Sequence, residues 1–390
     1  MEKIYSSVLK EDRPIWVHIP QSYHKDKDST RRYPVLYLMD GSDHFTSVVG
    51  MLQRLSEASG NDFCPDMIVV GIPNTDRMRD LTPSHVAGGP YLAANMVRTS
   101  GGGEAFMAFM EKELIPHIDS TCPASPYRLL VGHSLGGLMV VDALINHREL
   151  FSAYLAIDPS LWWDDQKLLK KAEGELAPGS FRNKAFFLAI ANTMQAGMDT
   201  LQVQKDTARG SIHIRSILRF ENDLQKAGNS GLRWDYKYYR DDTHGSVPLI
   251  AEYDAFRFLF SFYHFPEQNQ VFDSACTADS ALRLITAHYR LMTERMGYAI
   301  LPPQGLVNSL AHNFLQNKMP DKAFAFFTLN IRNYPKSVDA YANMGDYYVA
   351  KADKRKALEY YNKALVIGDN PDWVREKIEK LNPVGAGPSH

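Results

Sequence analysis

A serine held between two glycines, in Gly132-His133-Ser134-Leu135-Gly136, has the spacing of a nucleophile placed on a tight turn. The apolar run before it, 127–131, predicts a buried strand, and the run after it, 138–145, predicts a buried helix. A serine hydroxyl becomes a good nucleophile only when a neighbouring base takes its proton. The flanking glycines remove side chains that would clash at so sharp a turn. The pattern therefore predicts a strand–turn–helix unit that exposes Ser134 for catalysis.

A histidine downstream of this serine is the expected base. His244 lies in a loop after the predicted strand 232–239, and it follows Ser134 in the chain as such a site requires. The acid that orients the histidine is expected after the strand 184–192. Asp206 is the preferred acid because its connection to His244 is shorter, and Asp199 is the alternative. A Ser–His dyad that uses no acid is a further interpretation.

Two backbone N–H groups are predicted to form the oxyanion hole. Ser42 follows a predicted buried strand, 33–39, and a glycine turn, which is where the first donor of such a site is found. Leu135 comes directly after the nucleophile and opens the predicted helix. Donors fixed at the point where negative charge develops supply a large part of the catalysis of ester hydrolysis.

Three side chains near the predicted site are candidates for substrate binding. Trp162 and Trp163 follow a predicted strand and suit either the wall of a substrate pocket or packing in the core. Arg77 lies in a loop at the same predicted edge of the sheet, where it could hold an anionic group. The alternative for Arg77 is a structural ion pair with Asp76 or Asp80.

Composition excludes several classes of protein. The chain has 390 residues, 45% of them hydrophobic and 23% charged, and a formal net charge of -2. This balance gives no electrostatic case for binding nucleic acid or an anionic membrane. Residue spacing indicates no metal site, so we expect neither a metal nor an organic cofactor. No membrane span or signal peptide is visible, which favours a cytoplasmic protein, or a periplasmic one whose signal peptide has been removed.

The C-terminal part of the chain repeats with a period of 34 residues. Ala323-x-x-x-Phe327 recurs as Ala357-x-x-x-Tyr361, with small residues where paired helices would touch. This period is typical of tetratricopeptide (TPR) repeats, although a helical tail of coincidental period is the alternative. Too few repeats are present for an independent solenoid, so we expect contact with the hydrolase domain, with a protein partner or with another copy of the chain. The predicted domains are a hydrolase domain (1–266), a helical linker (267–303), TPR-like repeats (304–382) and a disordered tail (383–390).

Several segments together resemble one family of enzymes. They are Leu36-Tyr37-Leu38-Met39-Asp40-Gly41, Gly71-Ile72-Pro73-Asn74, Gly132-His133-Ser134-Leu135-Gly136-Gly137, Pro159-Ser160-Leu161-Trp162-Trp163 and Thr243-His244-Gly245-Ser246. They are similar to the Putative esterase family, which includes siderophore esterases, esterase D and the mycolyltransferases, over about residues 10 to 265. The resemblance implies an α/β-hydrolase fold, a mostly parallel sheet flanked by helices. It also implies Ser134 as nucleophile, His244 as base and Ser42 with Leu135 as oxyanion donors, whereas the acid has no clean match.

These observations predict a serine esterase with a catalytic triad or dyad. The expected reaction is cleavage of a carboxylic ester, of a siderophore-type lactone or of a thioester, through an acyl-enzyme on Ser134. Two alternatives stay open at this point. The first is transfer of the acyl group to an acceptor other than water. The second is a binding or scaffold protein that acts through the TPR-like tail and retains a residual hydrolase domain.

Overall fold

The computed structural model describes residues 1–25, 31–56, 62–88 and 92–382, which form two compact units. The first unit contains Met1–His264 together with the short segment Arg295–Tyr298. The second contains Phe265–Glu294 and the chain from Ala299 onward. The first unit carries every residue that the sequence places in the catalytic site, so the sheet of this unit is the element that matters for function.

An eight-stranded sheet forms the centre of the first unit. The strands are β1 Glu2–Ser6, β2 Glu11–His18, β3 Tyr33–Met39, β4 Ile68–Ile72, β5 Ala124–His133, β6 Ala153–Ile157, β7 Ala185–Ala191 and β8 Arg233–Tyr239. Their order across the sheet is β1-β2-β4-β3-β5-β6-β7-β8; the pairs β1–β2 and β2–β4 are antiparallel, and the other pairs are parallel. Strands β3, β4, β6 and β7 are buried along their whole length, as expected where helices cover both faces.

Helices connect and cover these strands. They are α1 Gln21–Lys25, α2 Gly41–Leu55, α3 Arg77–Asp80, α4 Gly103–Phe109, α5 Ile115–Thr121, α6 Leu135–Asn146, α7 Trp163–Glu175, α8 Thr200–Lys205, α9 Ile212–Lys226 and α10 Val247–Leu259. A π-helical turn, Met110–Leu114, joins α4 to α5. Helix α6 packs against β5 and β6 and is buried from Leu135 to Ile145, because its sequence is apolar on all sides. The predicted mostly parallel sheet with flanking helices is thus confirmed.

The second unit is helical. Its helices are α11 Gln268–Phe272, α12 Ala278–Met296, α13 Gln304–Gln316, α14 Pro320–Asn333, α15 Val338–Ala350, α16 Lys354–Ile367 and α17 Asp372–Leu381. Helices α13 and α15 begin 34 residues apart, and so do α14 and α16. At Gly345 in α15 the ring of Tyr361 approaches so closely that an added Cβ would lie 2.4 Å from it. Identification of these helices as TPR-like stays a prediction.

Two predicted segments of the C-terminal region need comment. The stretch expected to be a linker, 267–303, contains α11 and most of it belongs to the same compact unit as the later helices. The predicted disordered tail, 383–390, lies outside the described residues. Among the helices described, none combines the length and the apolar character needed to cross a bilayer.

Candidate active site

Ser134 occupies the turn between β5 and α6. Its backbone has φ 59° and ψ -113°, a strained combination for a residue with a side chain. An added Cβ on Gly132 would lie 2.4 Å from the backbone of Gly136, so the turn closes only when this position is glycine. The Ser134 N–H donates to the carbonyl oxygen of Ile157 on β6 over 3.0 Å. The local sequence thus forms the sharp elbow that it predicts.

His244 lies in the loop between β8 and α10, beside the serine. The Ser134 hydroxyl is 3.1 Å from His244 Nε2, which is hydrogen-bonding distance. The loop is tied to the end of β7, since the Asn192 N–H donates to the Asp242 carbonyl oxygen over 2.8 Å. Within this loop the carboxylate of Asp242 accepts from the Ser246 hydroxyl. The structure therefore brings together the predicted nucleophile and the predicted base.

The carboxylate that contacts His244 belongs to Asp158. His244 Nδ1 donates to Asp158 Oδ2 over 2.5 Å, and Asp158 Oδ1 accepts the Ala191 N–H over 3.0 Å. The side chain of Asp158 is 0% exposed. Burial on its own raises the pKa of this carboxyl, but the hydrogen bonds from His213 and His244 outweigh burial and hold the pKa well below its usual range. Asp158 is therefore ionised and serves as an acceptor.

The acids expected from sequence, Asp206 and Asp199, do not contact His244 among the described hydrogen bonds, so the expected acid is corrected to Asp158. Asp206 ends helix α8 and accepts from the Ala208 N–H, while Asp199 begins the same helix and accepts from the N–H groups of Leu201 and Gln202. Asp199 thus caps the N-terminus of α8, and Asp206 forms a local turn with the residue two positions on. Asp158 takes the position next to His244 because β6 pairs directly with β5, with Ile157 opposite His133. The residues that follow these two, Asp158 and Ser134, consequently leave the sheet side by side.

A second histidine binds the same carboxylate oxygen. His213 Nε2, on helix α9, donates to Asp158 Oδ2 over 2.8 Å. Its ring meets that of His244 edge to face, with 5.1 Å between centroids. Asp158, His213 and His244 each offer one nitrogen or oxygen of the kind that binds metals, and these three atoms lie within 4.8 Å of one another. Sequence reasoning missed His213 because a single histidine on an amphipathic helix gives no local signal. It missed Asp158 although this residue directly follows a buried strand.

The two predicted oxyanion donors lie at the beginnings of helices. Leu135 is the first residue of α6 and Ser42 the second residue of α2. N–H groups in a first helical turn have no partner within the helix and point along its axis, at the positive end of the helix dipole. Asp40, between β3 and α2, has a left-handed backbone with φ 52°. Ser42 and Leu135 thus both lie in first helical turns, and their role as oxyanion donors stays a prediction.

Arg77 binds Asp40. Its Nε donates to Asp40 Oδ1 over 2.7 Å and its Nη2 to Oδ2 over 2.9 Å, which makes a bidentate ion pair. Asn74 also donates to Asp40 Oδ1, over 2.5 Å. The alternative that we considered, a structural ion pair, thus applies to Arg77, but the partner is neither Asp76 nor Asp80.

The two tryptophans are arranged differently from each other. Trp163 is 2% exposed and belongs to the hydrophobic core, and its indole N–H donates to the Ser84 carbonyl oxygen over 3.0 Å. This matches the alternative of core packing for Trp163. Trp162 is partly buried and packs against the same core, with 6.0 Å between the two ring centroids.

Three further titratable side chains lie near His244: His133 contacts it directly, and His44 and Glu252 form a pair near His133. The ring of His133 lies 4.5 Å from that of His244, and burial lowers the pKa of His133 to about 4, so this ring is neutral at neutral pH. Glu252 on α10 is 1% exposed, and burial raises the pKa of its carboxyl to about 8. His44 Nδ1 is 3.7 Å from Glu252, and burial lowers the pKa of His44. At pH 7 these groups thus add no net charge beside the catalytic histidine.

The chain is similar to known esterases in sequence and in structure. A family model described as Putative esterase matches residues 6–209, more than half of the chain. A siderophore triacetylfusarinine C esterase of Aspergillus fumigatus is 27% identical over 42% of this chain, and the match spans 58% of that protein, less than two thirds of its length. A siderophore enterobactin esterase of Emericella nidulans is 28% identical over 61% of this chain and 86% of its own.

A solved structure extends the comparison to both units. The crystal structure of an IroE-like serine hydrolase from Shewanella oneidensis has 33% sequence identity and a TM-score of 0.69, and the match covers 85% of this chain and 98% of that one. The similarity confirms the predicted α/β-hydrolase fold. Because it covers 85% of this chain, it extends beyond the catalytic domain into the helical C-terminal region.

Proposed function

The chain belongs to the Putative esterase family, and on this premise we propose that it hydrolyses a carboxylic ester through an acyl-enzyme on Ser134. The observation that carries the proposal is the continuous chain of hydrogen bonds from Ser134 through His244 to Asp158, with distances of 3.1 and 2.5 Å. A nucleophile bonded to a base that a buried carboxylate orients is the arrangement that activates serine in unrelated hydrolases.

In the proposed acylation step, Ser134 Oγ attacks the carbonyl carbon of the ester and His244 Nε2 takes the serine proton. The tetrahedral intermediate collapses when the bond to the alcohol oxygen breaks, and His244 returns the proton to that oxygen. Asp158 accepts from Nδ1 throughout, which fixes the tautomer and stabilises the imidazolium. In deacylation a water molecule acts as the nucleophile. His244 removes a proton from the water, and the water oxygen attacks the acyl carbon. The bond between the acyl carbon and Ser134 Oγ then breaks, and His244 returns the proton to Ser134.

Stabilisation of the oxyanion is assigned to the backbone N–H groups of Ser42 and Leu135. Both belong to first helical turns, so two donors and two helix dipoles would converge on the developing negative charge. Removing one such donor in a hydrolase typically costs about 100- to 1,000-fold in kcat. Backbone donors cannot be deleted by substituting their own side chains. This part of the proposal is therefore best tested by substitutions in the turns that precede Ser42 and Leu135.

For the substrate we propose a siderophore-type ester, because the matched relatives are named as esterases of enterobactin and of triacetylfusarinine C. Trp162, which is only partly buried, is the candidate for contact with a bulky part of such a substrate. The test is hydrolysis of these two compounds compared with p-nitrophenyl butyrate. A preference in kcat/KM for either siderophore supports the assignment, and a preference for the simple ester contradicts it. Product analysis with added alcohols separates hydrolysis from acyl transfer.

The central experiment measures turnover of p-nitrophenyl acetate and butyrate by the wild type and by Ser134→Ala, with a fluorophosphonate label located by mass spectrometry. We expect activity that depends on Ser134 and a label on this residue. Ser160 provides a matched control, because its hydroxyl lies 3.3 Å from that of Ser134 but contacts neither His244 nor Asp158 among the hydrogen bonds described. Ser160→Ala should therefore still be labelled at Ser134. An unlabelled and inactive wild type would contradict the proposal.

A further inference from the structure

We propose that Asp158, His213 and His244 form a binding site for a divalent transition-metal ion, with Zn²⁺ as the reference ion, and that the bound ion inhibits the hydrolase. The inhibitory part of this inference rests on the proposed function, whereas the binding part does not. The site would give the enzyme a sensitivity to free metal ions that its catalytic reaction does not require.

The three proposed ligand atoms already lie next to one another. His213 Nε2 and His244 Nδ1 lie 2.8 and 2.5 Å from Asp158 Oδ2, and all three atoms lie within 4.8 Å of one another. A tetrahedral Zn²⁺ ion with bonds of about 2.0–2.1 Å holds its ligands roughly 3.3 Å apart. The nitrogens would therefore separate from the carboxylate by less than about 1 Å to admit the ion. Small rotations of the two side chains supply this movement.

The donor set suits Zn²⁺ and similar ions. Two imidazole nitrogens and one carboxylate are common zinc ligands, and a water molecule can take the fourth position. Metal ligands must be deprotonated, and both carboxylate oxygens of Asp158 already act as hydrogen-bond acceptors, Oδ1 for the Ala191 N–H and Oδ2 for the two histidines. The side chains of His213 and His244 are 18% and 40% exposed, so the site lies close to solvent although Asp158 is buried.

Proton placement explains why the bound ion would inhibit. In the free site His244 carries its proton on Nδ1, which donates to Asp158, and Nε2 is left as the acceptor for Ser134. A metal ion bound at Nδ1 requires the proton of the neutral ring to move to Nε2. Nε2 then cannot accept the proton of Ser134, so the serine is not activated. No proton has to leave the site for this change, because each neutral imidazole keeps one proton on its other nitrogen.

A substitution of His213 tests metal binding without removing the proposed nucleophile or base, because His213 does not contact Ser134 among the described hydrogen bonds. In His213→Gln the amide group can still donate to Asp158, but the imidazole ligand is lost. His264→Gln is the matched control, since His264 forms an equivalent pair with Asp62 at the surface, with 2.8 Å between Nδ1 and Oδ2. Ser134→Ala keeps all three ligands and removes the nucleophile.

The experiment has a binding readout and an activity readout. Binding is followed by calorimetric titration with Zn²⁺ and by the visible absorption of Co²⁺, for the wild type, Ser134→Ala, His213→Gln and His264→Gln. Inhibition is followed by p-nitrophenyl butyrate turnover over a Zn²⁺ titration, with reversal by EDTA, each variant being compared with its own metal-free rate. Loss of a ligand should weaken binding and inhibition by about tenfold or more, the lower limit seen even for groups that only support ligands.

We expect Zn²⁺ to bind the wild type, Ser134→Ala and His264→Gln equally well, and to bind His213→Gln more weakly by about tenfold or more. In the active proteins the strength of inhibition should change in parallel with the strength of binding. Equal inhibition of His213→Gln and the wild type would place the ion elsewhere and overturn the proposal. Absence of binding to Ser134→Ala would do the same. If the wild type has no esterase activity, the titrations alone test the site, so failure of the proposed function is distinguishable. His213→Asn replaces His213→Gln if the latter does not fold.

Discussion

Replacing Asp158 by asparagine would test the proposed mechanism most directly. The carboxylate accepts three hydrogen bonds on two sides, from His213 and His244 at Oδ2 and from the Ala191 N–H at Oδ1. An asparagine amide has one acceptor oxygen and one donor nitrogen. If the oxygen faces Ala191, the NH₂ group faces both histidines and forces His244 into the tautomer that protonates Nε2. If the oxygen faces the histidines, the NH₂ group meets the Ala191 N–H, and a buried donor is left without a partner.

The expected loss in kcat for Asp158→Asn is about 10³- to 10⁴-fold, which corresponds to about 4–5.5 kcal/mol in the activation barrier. Turnover of p-nitrophenyl butyrate measures it, and circular dichroism with thermal unfolding controls for folding. Asp206→Asn and Asp199→Asn are the matched controls, because their carboxylates accept from nearby backbone N–H groups, Ala208 for Asp206 and Leu201 and Gln202 for Asp199. A folded Asp158→Asn variant with more than about a tenth of wild-type kcat, or a loss of the expected size in Asp206→Asn, would refute the reasoning.

Two further predictions concern buried side chains near the site. Burial raises the pKa of Glu252 from 4.5 to about 8, so the folded protein holds a proton that the unfolded chain releases. The wild type should consequently lose stability relative to Glu252→Gln as pH rises from about 4.5 to 8, by up to about 5 kcal/mol. Urea unfolding of both proteins at pH 5 and pH 8 measures this difference, and an equal difference at the two pH values would contradict the burial of Glu252. Trp163→Ala should cost about 3–5 kcal/mol in the same assay, because it empties a core position and removes the donor to Ser84. It should change KM equally for acetate and bulky esters, and a larger effect on bulky esters would restore the pocket assignment.

The parts of the site that could be predicted from sequence are those that local chain geometry dictates. The Ser134 elbow needs a strand, two glycines and a helix in immediate succession, and all of these are visible in ten to twenty consecutive residues. The parallel sheet is likewise predicted by apolar runs that alternate with helical segments. His244 could be predicted because it lies in a polar loop directly after the last of these runs.

The acid could not be assigned because its position depends on which strands are neighbours. From sequence the acid is expected after β7, whereas the pairing of β6 with β5 brings the carboxylate that follows β6 beside Ser134. The preference for Asp206 used chain separation from His244, a quantity that the order of strands overrides. His213 depends in addition on the rotation of helix α9 about its axis. Periodicity gives the buried face of a helix but not the single residue that meets a distant carboxylate.

The sequence predicts that Arg77 binds substrate or forms an ion pair, and the structure shows it in an ion pair with Asp40. Its guanidinium and Asn74 hold the buried carboxylate of Asp40, whose left-handed backbone leads directly into the helix that carries Ser42. The same carboxylate lies 3.3 Å from the point where a Cβ on Gly136 would be, in the first turn of the helix that carries Leu135. Asp40 therefore lies directly before α2 and close to the first turn of α6. The ion pair of Arg77 with Asp40 thus lies at the start of α2 and beside the first turn of α6, the two helices on which the oxyanion donors are proposed.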